Sequence, residues 1–132
     1  MIGLDTNVLV RFLTQDHAAQ AAIANALIQG LTPAQPGFVS SVVLAEITWV
    51  LSRDYKAPRE DVARAVEGLL RAAELRVGNA SAAYRALAAF RASTAGEFTD
   101  ALIAQTAALA GAKESVIFNR AAANAFGMRL LA

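Results

Sequence analysis

A chain of 132 residues, 56% hydrophobic and 17% charged, has the length and composition of one globular domain, 1–132, with a sizeable core. The absence of cysteine removes disulfides, thiolate nucleophiles and cysteine zinc sites, and a single histidine, His17, removes catalytic triads and multi-histidine metal centres. A net charge of +1 gives no strong nucleic-acid footprint, although ten of the twelve cations are arginines, suited to bidentate phosphate contact.

Met1 to Leu4 predicts a short buried strand, and Asp5-Thr6-Asn7 a turn into a helix over Val8 to Leu13. Asp16 is placed to cap a second helix from His17 to about Gln29, with Gly30 as its stop. Thr32 to Gly37 is a loop by its proline and glycine content, and Phe38-Val39 a very short second strand. Ser40 or Ser41 then caps a helix through Val42 to Leu51, an apolar run with one acid, Glu46, near its middle. Arg53 to Ala57 breaks the chain. Pro58 leads into a helix whose stripe is Val62, Val66, Leu69 and Leu70.

Leu75 to Val77 alternates as a third strand, and Asn79 caps a helix to about Ala92. After the break Ser93 to Gly96, Thr99 or Asp100 begins a helix that ends before Gly111. Ser115 to Phe118 is a fourth strand with Asn119-Arg120 as its exit, followed by a short helix, Ala121 to Phe126, and a last strand, Met128 to Leu130. Strands alternating with helices predict an α/β domain with a parallel sheet, whose ligands sit beyond the carboxyl ends of its strands. No run reaches membrane-spanning length, and the opening Met-Ile-Gly-Leu-Asp has no basic leader region, so a soluble cytoplasmic domain without a membrane role is expected.

Three acids stand apart in apolar surroundings: Asp5 at the end of the first strand, Glu46 within its helix, and Asp100 before Ala101 to Ala104. A lone charge is costly to bury, so each needs a partner or a cation. Carboxylate oxygens together suit a hard cation such as magnesium or manganese.

Asp5-Thr6-Asn7-Val8-Leu9, Glu46 in its apolar helix, Phe98-Thr99-Asp100-Ala101-Leu102-Ile103 and Phe118-Asn119-Arg120 jointly resemble a PIN-domain protein, and more narrowly a VapC-type toxin of a bacterial toxin–antitoxin pair. The resemblance runs the length of the chain. It implies a three-layer α/β/α fold around a five-stranded parallel sheet in the order 3-2-1-4-5. It implies also a magnesium- or manganese-dependent endoribonuclease acting on transfer or ribosomal RNA. A cognate antitoxin neutralises such an enzyme, in a homodimer or a toxin–antitoxin hetero-oligomer. By position Asp5, Glu46 and Asp100 match the family's metal-holding acids. Asn119 falls where a fourth acid is common, which lowers the negative charge of the site and opens a second reading: a weakened or inactive module that still binds antitoxin or RNA. Glu97 is a substitute source of that charge. Arg11 and Arg120 are candidates for substrate phosphates, and Thr6 and Asn7 for fixing the carboxylates.

Plainer roles compete with these. Asp5 and Asp100 could simply cap helices, Glu46 could pair with Arg53, and Asn119 could be a turn residue. Trp49, near Val42 and Ile47, is expected in the core or a subunit interface, and His17 on the surface. A phosphorylated receiver or small phosphatase needs a second acid beside Asp5, which Gly3-Leu4 and Thr6-Asn7 do not supply. A dinucleotide site needs a Gly-x-Gly-x-x-Gly that the first strand lacks.

Overall fold

Strands and helices alternate along the chain, and the first four strands in sequence order are each followed by at least one helix. The computed structural model describes residues 1–131 and contains, among them, five strands and seven helices. Contacts divide the chain into two compact units, Met1–Gly78 and Asn79–Ala132.

The first unit holds β1 (Ile2–Gly3), α1 (Thr6–Thr14), α2 (Ala18–Gln29), β2 (Gly37–Val39), α3 (Ser41–Arg53), α4 (Arg59–Arg71) and β3 (Leu75–Val77). Its sheet is parallel with β2 central: Ile2 lies opposite Gly37, and Phe38 opposite Arg76. Leu9, Val39, Leu44, Ile47 and Val66 are sealed in its core. Gly37 sits in close contact with its neighbours: a Cβ there would come within 2.7 Å of Leu4 Cδ1 and 2.9 Å of Leu31 Cδ1, so a side chain would have to push those leucine tips aside. α4 follows its sequence pattern, with Val62, Ala63, Val66 and Leu69 buried and Glu60 and Asp61 at the positive end of the helix.

The second unit holds α5 (Ala80–Arg91), α6 (Phe98–Leu109), β4 (Val116–Ile117), α7 (Arg120–Phe126) and β5 (Arg129–Leu130). β4 pairs with β5 in parallel, Val116 opposite Arg129. α5 packs on α6, where small Ala82, Ala83 and Ala86 allow close approach and the rings of Phe90 and Phe98 meet edge-on, 6.0 Å between centroids. Gly96, at φ +81°, lies against the ring of Phe126, so both its conformation and the space above it exclude a side chain.

The α/β class is as expected, but the sheet is not. The strands form two sheets, β1-β2-β3 and β4-β5, rather than one five-stranded sheet in the order 3-2-1-4-5 with helices in layers on both sides. β1 and β4 span two residues each, and half of β1 is glycine; such strands offer few ladder bonds and little side-chain packing.

Several helix boundaries also shift, each for a capping reason. α1 begins at Thr6 rather than Val8 because Asp5 caps it. α2 is capped by His17, whose Nδ1 accepts from the Gln20 N–H at 3.2 Å, and not by Asp16. α6 begins at Phe98, with Glu97 as its N-cap, rather than at Thr99 or Asp100. α7 begins at Arg120, capped by Asn119. Trp49 is 47% exposed rather than part of the core.

Candidate metal centre

In the first unit the chain leaves β1, passes Leu4 into the core and reaches Asp5, the N-cap of α1. One carboxylate oxygen, Oδ2, accepts from the Asn7 N–H at 3.2 Å. The helix start thus fixes the side chain, which remains exposed. The capping role weighed for Asp5 is real. It engages one oxygen and leaves Oδ1 available.

Thr6, the next residue, is 7% exposed and donates its hydroxyl to Glu46 Oε1 at 2.8 Å, a bond between residues 40 apart in sequence. Glu46 sits on the exposed side of α3, while Leu44, Ile47, Thr48 and Leu51 face the interior. It is therefore neither buried nor ion-paired: among the described residues Thr6 is its partner, and the Arg53 guanidinium instead lies over the Trp49 ring, 5.3 Å from its centroid. Thr6 ties Glu46 to the residue that adjoins Asp5, as expected of a residue that fixes a carboxylate. Asn7 contributes its backbone N–H to Asp5.

Arg11, a candidate for substrate phosphate, is engaged within the same unit. Its Nε donates to Gln20 Oε1 at 2.8 Å, and its Nη1 reaches Tyr55 Oη at 3.2 Å and Asp16 Oδ1 at 3.4 Å. Thr14 and Tyr55 also donate to Asp16, at 2.7 Å each. Those two hydrogen bonds hold the Asp16 carboxyl below its ordinary range, with the charge of Arg11 adding to them. This cluster joins α1 to the connection after α3. Its members span 44 residues, and no local spacing in the sequence could have announced it.

In the second unit Asp100 is the third residue of α6, and its Oδ2 accepts from the Glu97 backbone N–H at 3.1 Å. Glu97 and Asp100 thus meet at one helix start. Asn119 Oδ1 accepts from the Ala122 N–H at 2.9 Å and caps α7. Arg120 follows it, exposed and without an ion pair among the described residues; Phe118 before it is 80% exposed. The helix-start role weighed for Asp100 is present, and Asn119, weighed as a turn residue, is the N-cap of α7.

Oxygen donors on carboxylates suit a hard divalent cation, and magnesium takes one or two carboxylates while keeping several waters. Asp5 and Glu46 are donors of that kind, each keeping a carboxylate oxygen outside the hydrogen bonds described above. Among the described residues, no group of three or more His, Cys, Asp or Glu side chains could hold a metal ion. Nor is any helix long and apolar enough to cross a membrane.

The first unit is thus a parallel α/β arrangement with an acid, Asp5, at the exit of its first strand and a second acid, Glu46, held by the residue that follows it. Comparison with protein families makes this specific: the PIN-domain model matches residues 2–123, and the chain belongs to the PIN-domain family, whose members are generally metal-dependent nucleases. No curated protein and no solved structure matches the chain.

Proposed function

We propose that this PIN-domain protein is a magnesium- or manganese-dependent endoribonuclease of the VapC type. In this reading it hydrolyses phosphodiester bonds in transfer or ribosomal RNA and is neutralised by a cognate antitoxin. The observation that carries the reading is the Thr6–Glu46 hydrogen bond, which ties a second exposed carboxylate to the residue after Asp5. A bound divalent ion supplies charge neutralisation at the phosphate and acidifies water, chemistry that a chain without cysteine and with one exposed histidine lacks. Asp5 and Glu46 are its proposed holders, with Asp100 assigned to the same task by the family resemblance. Arg120 is the better candidate for substrate phosphate, because Arg11 is already bound by Gln20, Asp16 and Tyr55.

The antitoxin is proposed to lie in the cleft between α1 and α2, lined by Val8, Ile23, Ala24 and Leu27 with Asn7 and Arg11 at its polar side. Ile23 is 72% exposed there. A cytoplasmic site of action goes with an RNA substrate, and a homodimer or a toxin–antitoxin hetero-oligomer is the proposed assembly.

The test is RNA cleavage with Mg2+, with Mn2+ and with EDTA, for this chain and for Asp5→Ala. Cleavage that needs the metal and disappears in the variant supports the reading. Cleavage that survives both ends it.

One observation favours a second reading, a weakened nuclease. Asn119 spends its carbonyl oxygen on the α7 cap, and an amide brings no charge to a cation. In Asn119→Asp a large gain in Mn2+ affinity and cleavage supports that reading, and an unchanged, already active enzyme refutes it.

A further inference from the structure

The exposed side of α3 is a ridge of four residues, Val42, Glu46, Trp49 and Arg53, spaced so that neighbours are one helix turn apart. Val42 is 68% exposed and Trp49 47%, although the same helix buries Leu44, Ile47 and Leu51 completely or nearly so. The indole is therefore displayed, and in the first unit it stands one turn from the carboxylate that Thr6 holds. Its other helical neighbour is a cation: the Arg53 guanidinium lies 5.3 Å from the ring centroid.

We infer that Trp49, backed by Arg53, is a stacking platform for an unpaired base of the RNA, next to the phosphodiester presented to Asp5 and Glu46. A displayed aromatic ring beside a guanidinium is the pairing that single-stranded nucleic acids use: the ring takes the face of a base whatever its identity, and the cation favours the neighbouring phosphate. A duplex hides its base faces in the stack, so this platform selects single-stranded or looped RNA. The inference rests on the nuclease reading above and adds to it a residue that holds a base of the substrate.

Trp49 is the one tryptophan in the chain, so its fluorescence reports on this position alone. The experiment titrates the whole protein, in EDTA to block cleavage, with a single-stranded RNA ten-mer, an abasic ten-mer and an RNA duplex. Saturable quenching by the single strand, and none by the abasic strand or the duplex, is expected. Trp49→Ala should bind the single strand about tenfold more weakly, with Trp49→Phe much closer to the parent. With metal present, the Ala variant should show that loss in KM while kcat stays near the parent's. Saturable RNA binding without quenching, and without loss in Trp49→Ala, overturns the platform and leaves the nuclease intact. A fluorescence change in the parent that follows protein concentration without RNA, together with a dimer on gel filtration that Trp49→Ala fails to form, also overturns it and assigns the ridge to a second copy of the chain. Failure of every form to bind or cleave RNA sinks the nuclease reading and the platform together.

Discussion

Asp5 and Glu46 in the first unit are brought into register across 40 residues by the Thr6 hydroxyl, whereas Asp100 in the second is held by a residue three positions away. Asn119 resembles Asp100, its partner again three positions on. A bond between near neighbours forms wherever the helix forms, and says little about purpose. A bond across 40 residues exists only once β1, α1 and α3 have been assembled, and the exposed carboxylate it holds adds little to a core. That difference is why the proposed metal site is centred on the first unit's pair.

The largest effect should separate the two jobs of Asp5. Asp5→Asn keeps the helix cap, since asparagine and aspartate cap about equally well, but removes the charge. Cleavage should fall by about two orders of magnitude or more, as expected when the charge that holds a catalytic ion is lost, while thermal stability barely moves. Asp5→Ala should lose the same activity and about 1 kcal/mol of stability besides. If Asn retains activity and Ala loses it, Asp5 is only a cap and the comparison collapses.

Next comes Thr6→Val, which preserves shape and removes the hydroxyl. Groups that orient metal-holding side chains are worth about 10- to 100-fold in affinity or activity. Glu46 should lose its anchor, Mn2+ affinity and cleavage should drop at least tenfold, and stability should fall by about 1 kcal/mol. An activity loss that Glu46→Gln does not share would show that Thr6 acts elsewhere.

A smaller effect is expected at the local caps. Asn119→Ala should destabilise by about 1 kcal/mol through loss of the α7 cap, and Asn119→Asp by almost nothing. Melting temperatures of the two variants, measured side by side, check this.

The smallest effect is one of pH. Hydrogen bonds from Thr14 and Tyr55 lower the Asp16 carboxyl below its ordinary 3.8 in the folded state. The stability this contributes is therefore present above that ordinary value and is lost as pH falls through the lowered one. Tyr55→Phe should lower stability slightly near neutrality and by less in strong acid, as read from urea midpoints at two pH values. The side chains are exposed, so the change is modest.

Much of this was legible in advance. The α/β class and the helix stripe of α4 follow from periodicity, whereas the cost of stranding a charge does not apply to Asp5 and Glu46, which are both exposed. Two helix starts were misplaced where candidate caps stood close together, although Ser40 and Ser41 before α3 caused no such error. Asp16 and His17 compete for α2, and Glu97, Thr99 and Asp100 for α6; the winner is set by contacts the sequence does not print, such as Tyr55 reaching Asp16. Of the two places expected for Trp49 the core is excluded: only the facing of α3 shows which side a large aromatic ring in an apolar run takes. The single five-stranded sheet failed at β1 and β4, whose two-residue lengths give an alternation rule nothing to read.

The most direct measurement is calorimetric titration of Mn2+ into the parent, Asp5→Asn, Glu46→Gln and the double variant. If the pair shares one cation, each single variant should weaken binding at least tenfold and the double should lose little more, because either loss already breaks the site. Unchanged Mn2+ binding in both single variants, or independent and additive losses, would contradict a shared site at Asp5 and Glu46.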